Sequence, residues 1–145
     1  MKKSIGFVAV GLIALPLVVG CGSRGDQMEV YPVKGKVMYN GAPAAGATVT
    51  LIGLTEEVRA KKAPIPTGQV QADGTFQLTS YEPNDGAPPG EYRVTITWFE
   101  EMPPGGDPES FDPKDQMEGK YDAENSELKL RVPEEAVEIP TFDLK

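Results

Sequence analysis

The chain has 145 residues, of which 22 are acidic and 14 are basic, so its formal net charge is -8. A negative charge of this size repels the phosphate backbone of nucleic acids and argues against nucleic-acid binding. The sequence contains no histidine, which is the commonest general base and the commonest ligand for zinc and copper. A Ser-His-Asp triad is therefore impossible, and we expect a protein without enzymatic activity.

The amino terminus has the composition of a signal peptide. Lys2 and Lys3 precede an apolar run over residues 5–19. A basic start followed by an apolar run that is too short to span a bilayer is typical of a segment removed after export. We therefore predict a signal peptide over residues 1–20, which leaves a single domain of about 110 to 120 residues in the mature chain.

The predicted signal peptide ends at the sequence Leu-Val-Val-Gly-Cys, residues 17–21, which resembles the lipobox of bacterial lipoproteins. The resemblance implies that the thiol of Cys21 carries diacylglycerol, that cleavage precedes this residue, and that an acyl chain such as palmitate is added to the new amino group. Two or more acyl chains give stable anchoring. We expect an extracytoplasmic protein, lipid-anchored to a bacterial membrane, with residues 21–28 as lipidated cysteine and polar tether and residues 29–145 as the folded domain.

Residues 90–98 carry the clearest strand pattern in the chain. Their side chains alternate between apolar and polar, which is the period of a strand that covers an apolar core. We predict a central strand of a β-sandwich here, with Tyr92, Val94, Ile96 and Trp98 directed inward.

Two earlier strands are predicted from the same alternation. The first covers residues 30–39, with Gly35 at an inward position that indicates a bulge or a close approach of backbone. The Asn-Gly pair at residues 40–41 then favours a turn with positive φ. The second strand covers residues 48–54, and the polar residues 56–66 after it are expected to form a loop.

An Asp-Gly pair lies between two alternating runs, which predicts a hairpin over residues 68–79 with Phe76 and Leu78 directed inward. Further strands are predicted over residues 127–132 and 137–144. Pro140 shifts the inward register within the last of these and favours an edge strand, which is a candidate docking edge for a partner. No window shows a sustained helical period, so we expect essentially no helix in the mature protein.

Three segments in order resemble one family. They are Val-Lys-Gly-Lys-Val at 33–37 with Asn-Gly-Ala-Pro at 40–43 and Gly-Ala-Thr-Val at 46–49, then Asp-Gly-Thr-Phe-Gln-Leu at 73–78, then Pro-Gly-Glu-Tyr-Arg-Val at 89–94. Together they resemble the carboxypeptidase regulatory-like domain. The resemblance implies an all-β, seven-stranded Greek-key β-sandwich of the transthyretin-like class that acts as a non-catalytic accessory or binding module. A related class, the transthyretin-like hydroxyisourate hydrolases, depends on histidines that this chain lacks.

Two sets of residues are candidates for ligand contact. The aromatic rings of Tyr81 and Phe99 are candidates for a surface platform that binds sugar rings. The acidic loop over residues 100–122 offers hard oxygen ligands of the kind that calcium prefers, although their spacing matches no EF-hand. The candidate calcium ligands are Asp107, Glu109, Asp112 and Asp115.

The sequence leaves two functions open. One is a lipid-anchored interaction or structural module of the cell envelope, bound to the membrane through Cys21 and contacting an envelope protein. The alternative is a polysaccharide-binding module, assisted by calcium, that uses Tyr81, Phe99 and the acidic loop. Exposed aromatic rings beside the loop would favour the second function, whereas a loop that presents only charge would favour the first.

Overall fold

The computed structural model describes residues 27–60 and 62–145. The predicted signal peptide over residues 1–20, the lipidation site Cys21 and the tether up to residue 26 lie outside these ranges. Within them, no helix combines the length and the apolar character that a membrane crossing requires.

The described residues form an all-β fold with a single one-turn helix. In chain order the elements are β1 (Val33–Tyr39), β2 (Ala42–Pro43), β3 (Thr48–Gly53), α1 (Glu56–Arg59), β4 (Thr67–Gln69), β5 (Thr75–Gln77), β6 (Gly90–Thr97), β7 (Lys129–Val132), β8 (Val137–Glu138) and β9 (Phe142–Leu144).

The strands divide between two sheets. One sheet has the order β4-β3-β6-β7 with antiparallel neighbours throughout, so β6 is an interior strand, as predicted. In the other sheet β1 pairs antiparallel with β2 and β5 and parallel with β8 and β9. The carbonyl oxygen of Val33 accepts a hydrogen bond from Leu78 N at 3.0 Å, whereas that of Lys34 accepts one from Ile139 N at 2.9 Å. Because successive residues of a strand bond to opposite sides, β5 and β8 flank β1.

The two sheets pack face to face around one apolar core. Alternate residues of each strand point into it, as the sequence pattern predicts, and burial of each large apolar side chain contributes about 1.5–3 kcal/mol. The largest of these fully buried side chains are Tyr92, Phe76, Leu51, Leu78, Ile96, Val33, Val37, Val49, Val94 and Val132.

The glycine predictions are confirmed in part. Gly35 is at an inward position, but it pairs regularly with Phe76, and the groups that approach it closely are side chains rather than backbone. A Cβ atom built on Gly35 would lie 2.7 Å from Cε1 of Phe76 and 2.8 Å from Cγ1 of Ile139, so the sheet accepts only glycine here. At the first turn, Asn40 has a φ of 51° and Gly41 has a φ of 81°. These left-handed residues close the hairpin between β1 and β2, because such turns match the twist of the strands they join.

The hairpin predicted over residues 68–79 is paired only at its two ends. Gln71 N donates to Thr75 O at 2.7 Å at the turn, and Thr67 and Thr79 form an antiparallel bridge at the open end. Between these ends β4 pairs with β3 in one sheet while β5 pairs with β1 in the other. The arms touch where a Cβ on Gly68 would lie 2.5 Å from Gln77 O. The physical reason is burial, since Val70 after β4 and Phe76 in β5 both place their side chains in the core. The hairpin therefore becomes a corner of the fold.

The structure differs from the sequence predictions in smaller ways at Trp98 and in residues 56–66. Trp98 follows the end of β6 and is half-buried, with its ring edge-on to Tyr39 at 6.1 Å between centroids. The predicted loop over residues 56–66 begins with α1, because one helical turn places Val58 in the core. The register shift at Pro140 is confirmed, since β8 and β9 pair with β1 on either side of it.

Candidate functional site

Tyr81 lies at the end of the molecule where the described chain begins. Its hydroxyl oxygen accepts a hydrogen bond from Met28 N at 3.1 Å, and its ring is half-buried. Residues 27–30 line a hollow of about 320 Å³ together with Tyr81, Glu82 and Asp85. The tyrosine therefore fastens the incoming chain to the domain, while part of its ring remains accessible.

The loop that carries Tyr81 is held by one carboxylate. Asp85 accepts hydrogen bonds from the backbone N–H groups of Ser80 at 2.7 Å, Tyr81 at 3.0 Å and Glu82 at 2.9 Å. Burial by itself raises the pKa of Asp85, but these backbone hydrogen bonds outweigh it and hold the pKa below the ordinary value. Asp85 thus stabilises the conformation of its own loop.

Phe99 lies at the opposite end of β6 from Tyr81. The residue pair Tyr31 and Ala87 forms a β-bridge just before β6 begins, whereas Phe99 follows the end of that strand and bridges to Asp115. Eight residues of strand separate the two ends by about 25 Å. Phe99 is 54% exposed, so its ring is available for contact. The two aromatic candidates do not share one surface. Of the two, Phe99 is the exposed ring beside the acidic loop, which is the arrangement expected of a sugar platform, and ligand binding by either stays a prediction.

The acidic loop is anchored along β6. Gln116 N donates to Trp98 O at 2.7 Å, and Ile96 N donates to Tyr121 O at 2.8 Å. Further along, the buried Ser126 donates its hydroxyl to Val94 O at 2.6 Å. The acidic loop and the segment after it therefore cover the edge of β6 that β7 leaves unpaired.

The candidate calcium ligands are dispersed, and two of them bind backbone groups. Asp115 accepts hydrogen bonds through Oδ1 from Trp98 N at 2.9 Å and Met117 N at 3.1 Å, and through Oδ2 from Gly119 N at 3.0 Å. Asp107 accepts from Glu109 N at 3.0 Å.

Glu109 and Asp112 are exposed to solvent. In the part of the chain that the structure describes, no three His, Cys, Asp or Glu side chains come together in a group that could hold a metal ion. Calcium binding stays a prediction, without a preformed cluster of ligands among these residues.

The pKa of Tyr92 is strongly shifted, and the position of this residue is structural. The side chain of Tyr92 lies in the core, where burial raises its pKa to about 12. Its hydroxyl donates a hydrogen bond to Pro88 O at 2.8 Å. A phenol buried and bonded in this way cannot reach a substrate.

A groove that the sequence analysis missed runs along the corner where the chain passes from one sheet to the other. It has a volume of about 590 Å³, and its floor is formed by Gly68 and the buried Phe76. All of its other lining residues are polar and uncharged, and we call this surface the Gln-Thr groove. These residues are Thr48, Thr67, Gln69, Gln71, Thr75, Gln77, Thr79 and Asn84.

Half of these side chains are available for hydrogen bonding to a ligand. Within residues 27–60 and 62–145, the side chains of Thr48, Gln69, Gln77 and Asn84 make no hydrogen bond to the protein. Beside the groove, Thr75 donates its N–H (3.0 Å) and its hydroxyl (2.6 Å) to Asp73, which lowers the pKa of that carboxyl. The groove therefore presents amide and hydroxyl groups rather than charge.

The sequence does contain a signal for this groove. Outward positions of β3, β4 and β5 carry threonine and glutamine, whereas outward positions of β6 and β7 carry charged residues such as Arg93, Lys129 and Arg131. A run of uncharged outward residues in three consecutive strands is unusual in a chain with 25% charged residues. The pattern becomes a surface only when the strands are placed side by side.

No protein-family model matches this chain, and no curated protein matches it. Among solved structures, it is similar to the crystal structure of a DUF3823 family protein from Parabacteroides merdae ATCC 43184, with 16% sequence identity and a TM-score of 0.39. The match covers 81% of this chain and 46% of that chain, so the present chain spans about half of that protein's length. The class of the protein, an all-β fold of two packed sheets, rests on the strand pairing given above.

Proposed function

We propose that this protein is a non-catalytic binding module of the bacterial cell envelope, extracytoplasmic and anchored to the membrane through lipid on Cys21. The observation that carries the proposal is a spacing. The lipobox-like cysteine lies seven residues before Met28, the residue whose N–H is bonded to Tyr81 of the folded domain. Seven extended residues reach at most about 25 Å, so an anchored domain would stay beside the membrane with its Tyr81 end facing it.

We also propose that the fold is a seven-stranded Greek-key sandwich of the transthyretin-like class, similar to carboxypeptidase regulatory-like domains. Taking β8 and β9 as one interrupted strand, and leaving out the two-residue β2, gives seven strands. After the chain has passed through β3 and β4 in one sheet, β5 returns to lie beside β1 in the other. A return connection of this kind supports the Greek-key assignment.

In this arrangement the surface available to an envelope protein is the end remote from the membrane. Phe99 is 54% exposed there and Met102, in the same loop, is 44% exposed. Large exposed apolar side chains are typical anchors of protein interfaces. A partner would contact this end while the Tyr81 end stays close to the lipid.

The anchor is tested by mass spectrometry of the full-length protein purified from membranes. We expect the mature chain to begin at Cys21 with diacylglycerol attached, and we expect the Cys21→Ser variant to lose the lipid and leave the membrane fraction. A mature chain that begins elsewhere, or carries no lipid, would rule the anchor out.

The partner surface is tested by photo-crosslinking of the tagged full-length protein in intact cells. A photoreactive amino acid is placed at Phe99 or Met102, with Ile65 as control because its side chain is also exposed, at 69%. We expect one reproducible protein adduct from the first two positions and not from Ile65. Equal adducts from all three positions would contradict the assigned surface.

A further inference from the structure

We infer that the Gln-Thr groove is a binding site for an uncharged, hydroxyl-rich ligand, namely a segment of a neutral polysaccharide. The inference rests on the proposed function, since it names the ligand class of an envelope binding module. It places the polysaccharide site at the corner of the fold, in a groove whose lining includes neither Tyr81 nor Phe99. Its volume of about 590 Å³ is within the range of small-ligand sites.

The chemistry of the lining selects hydroxyl groups. A glutamine or asparagine amide and a threonine hydroxyl can each donate and accept hydrogen bonds. A sugar hydroxyl also does both, so it can pair with either kind of group. The amides of Gln69 and Gln77 have no partner in the described part of the chain. Because these groups are neutral, a ligand can displace their water without the large cost of desolvating a charge.

Peptide strands are a poor fit for the same site. Addition of a strand requires a free sheet edge. Here the edge of β4 is closed at both ends of the groove, by reciprocal hydrogen bonds of 3.0 and 2.9 Å between Thr67 and Thr79 and by the Gln71–Thr75 bond. A protein surface would also need an apolar anchor, and the one aromatic ring in the groove, Phe76, is 1% exposed.

Charged ligands fit no better. Two cations, Lys34 and Lys36, lie opposite Gln77 and Thr75 on the neighbouring strand β1 and border the groove without lining it. The acidic net charge of the chain opposes anionic ligands at long range. Binding of a neutral ligand should therefore be almost independent of salt, because screening acts only between charges.

The test is affinity electrophoresis of the full-length protein in detergent, through gels that contain dextran, mannan, xylan or the acidic polysaccharide alginate. The variant is the double substitution Gln69→Ala with Gln77→Ala. The matched control is Gln116→Ala, an exposed glutamine that lies outside the groove. Urea unfolding of all three proteins checks that the fold is retained.

We expect at least one neutral polysaccharide to retard the wild type and the control, and the double variant to bind it roughly tenfold more weakly, as for the loss of about two hydrogen bonds. Retardation should change less than about twofold between 0.05 and 0.5 M NaCl. No retardation by any neutral polysaccharide, equal binding by the double variant, or retardation by alginate alone would each overturn the inference.

The test separates this inference from the proposed function. If Cys21 is lipidated and Phe99 crosslinks to a protein, but no neutral polysaccharide binds, the envelope module stands and the ligand class is wrong. If a polysaccharide binds through the groove but the mature chain carries no lipid, the site stands and the anchored placement is wrong.

Discussion

The two ends of β6 and the Gln-Thr groove are both rich in polar side chains, but these side chains are used differently. At the ends, Asp85 and Asp115 each accept three backbone N–H groups and hold a long loop in place. In the groove, Gln69 and Gln77 make no hydrogen bond to the described chain. A polar group that is satisfied internally has little capacity left for a ligand.

This difference bears on which surface is the better candidate for ligand binding, the ends of β6 or the Gln-Thr groove. The sequence points to the ends of β6, because acidic loops and lone aromatic residues are conspicuous there. In the folded chain, Asp115 holds its own loop against β6, and Tyr81 holds the incoming chain at Met28. The groove combines a concave shape with polar side chains that make no hydrogen bond to the described chain.

The largest effect is expected at the floor of the groove. In Gly68→Ala the added Cβ would lie 2.5 Å from Gln77 O, so the two arms must separate, and we expect a loss of about 2–3 kcal/mol of unfolding free energy. The control is Gly105→Ala. A Cβ built there has no contact within 4 Å, so only the unfavourable φ of 80° contributes, and we expect it to cost about 1 kcal/mol. Urea unfolding measures both, and equal losses would show that the arms are not in close contact.

The next effect compares two aspartates of the acidic loop. We expect Asp115→Ala to cost about 2 kcal/mol, because three backbone N–H groups lose their acceptor. Asp107→Ala should cost about 0.5 kcal/mol, since Asp107 is exposed and its bonds stay within one local turn. Urea unfolding distinguishes them. Equal costs would mean that Asp115 does not fasten the loop to β6.

At the other end of β6 the expected effect depends on pH. The pKa of Asp85 is lowered from 3.8, so its stabilising contribution is present above that value and is lost as the pH falls through the folded-state pKa. Asp85→Asn should therefore be less stable than wild type by about 1 kcal/mol at neutral pH, and the difference should shrink below pH 3.8. Unfolding in urea at pH 7 and pH 3 measures this difference. A difference that is independent of pH would contradict the assigned hydrogen bonds.

Much of the strand content follows from the sequence, because burial imposes a period of two on each strand separately. Alternation in residues 90–98 predicts β6 and its buried side chains, and the Asn-Gly pair predicts the first turn. These features depend on local geometry, so the local sequence contains the information. The same reasoning predicts the interruption at Pro140, since proline cannot donate to a ladder.

Features that depend on distant parts of the chain were not predictable in this way. The Asp-Gly turn predicts a reversal of the chain but not that its arms, β4 and β5, enter different sheets. Asp115 resembles a calcium ligand in the sequence because its partner, Trp98 N, lies 17 positions away. The groove was missed since threonine and glutamine on three separate strands look like ordinary solvent-facing residues until the strands are assembled.

The smallest expected effect bears most directly on the groove. Gln69→Ala and Gln77→Ala should each change the unfolding free energy by less than about 0.5 kcal/mol, because neither side chain bonds to the described protein. The matched comparison is Ser126→Ala, which removes a buried hydroxyl that donates to Val94 O and should cost about 1–2 kcal/mol.

Urea unfolding of the three variants decides whether the groove supports the fold. If the glutamine variants lose as much stability as Ser126→Ala, their amides are part of the structural network and the contrast with the ends of β6 fails. If they lose almost nothing, folding does not account for a concave surface of uncharged amides and hydroxyls. The hydrogen-bonding capacity of those side chains is then left for solvent or for a ligand, and the affinity electrophoresis decides between the two.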